Sequence, residues 1–200
     1  MTTLETPTMP APAPADGDLL PEPVVAGWLN TAAPLTLAGL RGRVVVLHAF
    51  QMLCPACVSH GLPQMQRLAQ AFGPRQVALV GLHSVFEHHE AMSAPALKAF
   101  VHEYRLGFPI AIDRPGRTGP LPETLQAWGL RGTPSLLVLD RAGRLRLHHF
   151  GTLDDLRLGA LLGGLLRETG PAEGAEPADT PGARPGAGCG AGGRCELPEG

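Results

Sequence analysis

Cys54 and Cys57 stand two residues apart in the run HAFQMLCPACVSHGLPQM, residues 48–65. Thiols at this spacing can clip a metal, staple the chain or pass electrons by disulfide exchange. A structural zinc site takes about four ligands, usually two CxxC pairs or one CxxC with a histidine pair. The eight histidines include the adjacent pairs His88-His89 and His148-His149, neither with HxxxH-type spacing. The other two cysteines, Cys189 and Cys195, lie far down the chain. A permanent Cys54–Cys57 disulfide closes so short a loop that it constrains the unfolded chain only modestly. Redox exchange is the leading reading, and soft-metal binding by the thiolates is an alternative.

The flanking elements assign the two thiols different jobs. Residues 43–50, RVVVLHAF, are a β-branched apolar run after a glycine turn and read as a buried strand. Helical apolar spacing follows over residues 57–72 through Leu62, Met65, Leu68, Ala69 and Phe72, and Gly73-Pro74 stops it. Cys54 therefore falls where strand gives way to helix, and Pro55 occupies the favoured first helical position. A thiol at an N-cap-like position faces unpaired backbone N–H groups and the positive end of the helix dipole. Both favour thiolate, the attacking species. Cys57, one turn further in, is more buried and can bond back to Cys54. The spacing thus predicts a nucleophile at Cys54 and a resolving thiol at Cys57.

Beyond this unit the pattern keeps alternating. Residues 76–83 (QVALVGLH) read as a second buried strand and residues 94–104 as a helix with Leu97, Phe100 and Val101 inward. Residues 108–113 are a short extended piece, and residues 122–128 a short helix. Residues 135–140, the turn RAGR and residues 145–150 make a hairpin, and residues 153–167 a last amphipathic helix. The fold class predicted is α/β, a mixed central sheet flanked by helices. Residues 1–23 are rich in Pro, Ala, Thr and acids and are predicted to be disordered. Residues 24–168 form the domain. Residues 169–200 are a flexible Gly/Ala/Pro-rich tail that carries Cys189 and Cys195.

Composition excludes some partners. The chain has 200 residues, a formal net charge of -2 and a pI near 6.4. That gives no electrostatic case for nucleic acid or an anionic membrane. No apolar run reaches the ~18 residues of a spanning helix. The N-terminus lacks the basic start and apolar stretch of a secretory signal, which predicts the cytoplasm. There a CxxC pair is more often catalytic or metal-binding than a static disulfide.

GRVVVLHAFQMLCPAC, residues 42–57, together with RGTPSLLVLDRAGR, residues 131–144, resembles the thioredoxin superfamily. The likeness is closest to its redoxin branch of TlpA/ResA-type thiol-disulfide reductases and AhpC/TSA-like proteins. WLN followed by LTLAGLRGR, residues 28–43, resembles the redoxin lead-in. The resemblance covers about residues 28–167 and implies a thioredoxin-like fold. It implies a thiol-disulfide oxidoreductase that acts on a protein or small-molecule disulfide, with a reducing or oxidising redox partner and no prosthetic group. It also implies that Pro134 is cis and faces the cysteine pair, and that Thr133 and Pro134 together are the substrate-binding residues. Thiol peroxidase activity, as in peroxiredoxins, is the other enzymatic alternative.

The chain departs from the family at four places. Leu53 replaces the tryptophan usual before the first cysteine. Gln51 stands where peroxiredoxins carry the threonine that orients peroxide. Pro63 sits one residue later than usual, which bears on the helix geometry. His48 occupies the position of thioredoxin's buried aspartate, and as a catalytic candidate it exchanges the Cys57 proton. Its plainer role is a hydrogen-bonded core histidine. Glu87, His88 and His89 read as solvated loop residues, Asp113 and Asp140 as turn residues, and Trp28 and Trp128 as packing residues. Cys189 and Cys195 are either incidental or an auxiliary dithiol that exchanges with Cys54–Cys57.

Overall fold

A computed structural model describes residues 14–117 and 119–168. One mixed sheet is built from six strands: β1 (Val25–Leu29), β2 (Val44–Phe50), β3 (Val77–His83), β4 (Ile110–Asp113), β5 (Ser135–Leu139) and β6 (Leu145–Phe150). Their order is β1-β4-β3-β2-β5-β6. β2, β3 and β4 run parallel, while β1–β4, β2–β5 and β5–β6 are antiparallel pairs. The helices are α1 (Leu62–Ala71), α2 (Ala94–Glu103), α3 (Glu123–Ala127) and α4 (Asp155–Arg167). This is the α/β arrangement predicted from the sequence.

β2 is central, and all seven of its residues are buried. Alternation sends them to opposite faces. Val44, Val46 and Phe50 join a core with Cys57, Met65, Leu97, Leu158 and Leu162. Val45, Leu47 and Ala49 join a second core with Leu125, Trp128 and Leu130. Each fully buried Val, Leu or Phe contributes about 1.5–3 kcal/mol, so the strand that carries the redox segment is anchored from both sides.

Three elements differ from the sequence reading. Residues 14–23 are not disordered. Gly17 N–H donates to Leu145 O, Leu145 N–H donates to Asp18 O, and Leu20 is buried. Trp128 Nε1 donates to Pro21 O at 2.9 Å, so the buried indole is a packing residue with its polar handle satisfied. Polar composition hid this segment, because backbone pairing holds most of it. Second, β1 exists. It is a half-buried edge strand with a bulge between Val25 and Gly27, so its alternation is broken. Third, Asp113 is no turn residue. It is buried, and its carboxylate accepts from Ser84 Oγ and from the Thr124 and Leu125 N–H groups, tying β4 to α3. Asp140 does serve its turn, accepting from the Ala142 and Arg144 N–H groups.

The helix after the cysteines also departs from a regular α-helix. Residues Cys57–Gly61 form a π turn before α1, and Leu62 N–H reaches back to Cys57 O. Pro63 accounts for part of this, since it has no N–H for the carbonyl four residues earlier. Gly61 accounts for the rest. A Cβ on it would collide with Cε1 and Nε2 of His48, so the helix backbone lies directly on that ring. Gly61→Ala should therefore destabilise the protein by about 2–3 kcal/mol, as overpacking does. The loss should shrink when His48 is shortened in the same chain. Urea midpoints of Gly61→Ala, His48→Ala and the double variant test this. Strictly additive losses would show that the two positions do not share a contact.

Candidate active site

Cys54 follows a turn in which its N–H donates to Gln51 O at 3.2 Å. Pro55 is the first helical residue, and Val58 N–H donates to Cys54 O at 3.1 Å. Cys54 is thus at the N-cap position the sequence predicts. Its sulfur accepts from Cys57 N–H at 3.2 Å. A backbone donor and the helix dipole both act on Cys54 Sγ, and both stabilise negative charge there.

The two cysteines are joined as a disulfide, with Cα atoms 5.2 Å apart. They differ in access: Cys54 is half-buried, Cys57 is 0% exposed, and Leu53 beside them is 56% exposed. An approaching sulfur can reach only Cys54. Such asymmetry separates a nucleophile from a resolving thiol.

Thr133 and Pro134 lie at the head of β5, and the bond between them is cis. The β2–β5 register runs from Val45↔Leu139 to Ala49↔Ser135. Continued in step, it sets Thr133 against Gln51, and the two side chains approach to 3.5 Å. The sheet therefore brings Thr133 and Pro134 to the segment that bears Cys54. Pro134 is buried, and its carbonyl accepts from Gly151 N–H at 2.8 Å. Thr133 is half-buried, and its backbone has no backbone partner among the described residues. Gly132 has φ +147, and a Cβ there would press on Phe150 at 3.3 Å and touch Phe86. Both phenyl rings flank the loop, and the Arg131 guanidinium sits 5.2 Å from the Phe150 ring centre.

His48 is 2% exposed, on the face of β2 that meets Cys57. It stacks parallel to Phe50 at 6.1 Å, and Phe50 meets His83 at 5.3 Å. Neither His48 nitrogen has a hydrogen-bond partner of good geometry, so the bonded core histidine of the plainer sequence reading is not found. Burial pulls its pKa down to about 4, offset in small part by the Ser135 backbone. His83 is 1% exposed, its Nε2 is unpartnered, and burial lowers its pKa to about 4 as well. Glu87, His88 and His89 are exposed, as predicted. Cys189 and Cys195 lie outside the described residues. Among the described residues no three His, Cys, Asp or Glu side chains cluster as a metal site, and no helix is long and apolar enough to cross a membrane.

The sequence reading did not assign a role to Gln51. Its carbonyl holds Cys54, while its buried side chain reaches two other loops. The available signal was a polar residue directly after a buried apolar strand.

Residues 21–148 match the model of the AhpC/TSA family. The chain is 54% identical to a solved thioredoxin-like superfamily protein, with 78% of this chain and 100% of that one covered and a TM-score of 0.75. It is 48% identical to a thiol-disulfide isomerase from Corynebacterium glutamicum, with 76% and 98% covered and a TM-score of 0.73. A thiol:disulfide interchange protein from Chlorobium tepidum shares the fold at 21% identity, with 76% and 98% covered and a TM-score of 0.63. No curated protein matches the chain.

Proposed function

Since the chain belongs to the AhpC/TSA family and is a thioredoxin-like oxidoreductase, we propose that it exchanges disulfides through Cys54 and Cys57, with Cys54 as nucleophile. The observation that carries this is the asymmetric pair. Cys54 is half-buried and its Sγ receives the Cys57 N–H, while Cys57 is wholly buried.

In the reducing direction the Cys54 thiolate attacks one sulfur of a substrate disulfide. That forms a mixed disulfide and releases the first substrate thiolate, which takes a proton from solvent. The Cys57 thiolate then attacks Cys54 Sγ, closes Cys54–Cys57 and releases the second substrate thiolate, which takes a proton from solvent. The substrate has gained two electrons, and an external dithiol returns the pair to its reduced form. Thr133 supplies backbone groups against which an extended substrate segment pairs, as an added strand does, and Pro134 forms the wall beside it. His48 takes up and returns the Cys57 proton. It is neutral in the oxidised protein, as a proton acceptor must be, and a thiolate forming in its apolar layer draws its pKa upward.

The peroxidase alternative has less support. Gln51, at the position of the peroxide-orienting threonine, turns its amide to Phe86, Glu87 and Thr133.

Cys57→Ser tests the scheme. Incubated with a disulfide-bearing protein, this variant should accumulate a mixed disulfide at Cys54, resolved on a non-reducing gel and located by mass spectrometry. His48→Asn should slow the second step about tenfold or more and the first by less. No trapped adduct, together with fast peroxide consumption by the native protein, would transfer the assignment to a thiol peroxidase. Equal slowing of both steps would remove His48 from the proton path.

A further inference from the structure

Gln51 joins three segments that meet at the site. Its carbonyl accepts from Cys54 N–H at 3.2 Å. Its side-chain oxygen accepts from Phe86 N–H at 3.2 Å in the loop after β3. Its side-chain nitrogen faces Glu87 Oε1 at 3.3 Å and Thr133 Oγ1 at 3.5 Å, the latter at the long limit of a hydrogen bond. The residue is 1% exposed. A buried amide is costly to leave unpaired, so its partners fix its orientation and it fixes theirs. Phe86, held through its own N–H, in turn lies against the Gly132–Thr133 loop.

We propose that Gln51 is a positioning residue that holds the Thr133 platform in step with Cys54 Sγ, and so selects extended polypeptide disulfides over small soluble ones. This rests on the disulfide-exchange reading above. An extended segment has to satisfy two sites together: its backbone at Thr133 and its sulfur in line with Cys54 Sγ. A small disulfide uses Cys54 alone. Losing the tie between the two sites therefore penalises the first substrate and nearly spares the second, because productive geometry depends on placement within about an ångström.

The test compares Gln51→Met with the native protein. Methionine keeps the length and apolar volume of the side chain and removes both amide functions. Two probes are used: a linear peptide carrying a mixed disulfide at a central cysteine, and hydroxyethyl disulfide. For the peptide, KM should rise about tenfold while kcat changes by less than threefold, the scale of one lost hydrogen bond. With hydroxyethyl disulfide, kcat/KM should fall by less than threefold. Alkylation of the reduced protein against pH reports whether the Cys54 thiol itself has changed. If Gln51→Met does not fold, Gln51→Glu serves. It keeps the acceptor for Phe86 N–H, loses both donors and sets a carboxylate against Glu87, so the peptide KM should rise in the same way. Equal losses on both probes would reduce Gln51 to a structural residue, and no change on either would overturn the proposal. If the native protein exchanges with neither probe, the disulfide-exchange reading itself fails and takes this inference with it.

Discussion

Cys54→Ser should lower disulfide-exchange turnover by at least ~10³-fold, because a serine hydroxyl stays protonated at neutral pH and cannot form the mixed disulfide. The loss should not come from unfolding. The Cys54–Cys57 bridge closes a loop so short that the chain-entropy model assigns it only about 2 kcal/mol, and Cys54 is a half-buried residue at the edge of the core, where a serine oxygen can still accept the Cys57 N–H. The thermal midpoint should therefore drop by a few degrees while activity disappears. Reduction of a protein disulfide with dithiothreitol as donor measures the first quantity, and a thermal melt of the oxidised native protein against the variant measures the second. Reaction of the reduced native protein with iodoacetamide adds a mapping of roles. Cys54 should be alkylated first, since it is the less buried thiol and the Cys57 N–H and the helix end both stabilise its thiolate. Retained turnover in Cys54→Ser, or first alkylation at Cys57, would reverse the two roles.

What the sequence disclosed about this site was its covalent chemistry and its local chain geometry. The CPAC pair, the strand before it and Pro55 at the helix start all depend on residues close in sequence, and they are found where the spacing placed them. The central strands were legible for the same reason: both faces of β2 and β3 are covered, so apolar residues fill both, apart from His48 in β2 and Gly81 and His83 near the end of β3. Other features depended on distant partners and left no local mark. The packing of residues 14–23 rests on pairing with Leu145 and on Trp128 reaching Pro21. The burial of Asp113 depends on Ser84 and on the start of α3. The close packing of Gly61, within the π turn, depends on the ring of His48, thirteen residues earlier and on another element. His48 itself was legible as an oddity, a lone polar side chain in a buried strand. Its unpaired nitrogens were not, since the hydrogen bonds it lacks are a property of the assembled core.

Acid should destabilise this protein steeply between pH 6.5 and 4, and the two buried imidazoles should account for most of it. His48 and His83 each have a folded-state pKa of about 4 against an ordinary 6.5. Above pH 6.5 both rings are neutral in the folded and the unfolded chain, and they contribute no pH dependence. As pH falls below 6.5 the unfolded chain binds protons that the folded chain refuses, so the equilibrium moves toward unfolding. By pH 4 the difference amounts to about 3 kcal/mol for each ring at 1.36 kcal/mol per pKa unit. For two rings that is about 6 kcal/mol, comparable to the whole stability of an ordinary domain. The other shifted groups modify this without reversing it. His148, lowered by partial burial and by His149, adds a smaller loss in the same window. Asp155 and Glu168, lowered by Arg67 and Arg146, lose their ion pairs only at more acid pH. Asp113 acts in the opposite sense, because burial raises its pKa and its protonation favours the folded state as pH falls. Urea unfolding of the oxidised protein, followed from pH 7.5 to 4.5, should show the midpoint falling throughout. His83→Leu should remove close to half of that slope, since it deletes one titration and keeps an apolar side chain against Phe50. A midpoint that stays level down to pH 5 would mean that the rings take up protons in the folded state near their ordinary pKa. His48 would then already carry a proton when Cys57 has to give one up, and the proton path proposed for the second step of exchange would lose its acceptor.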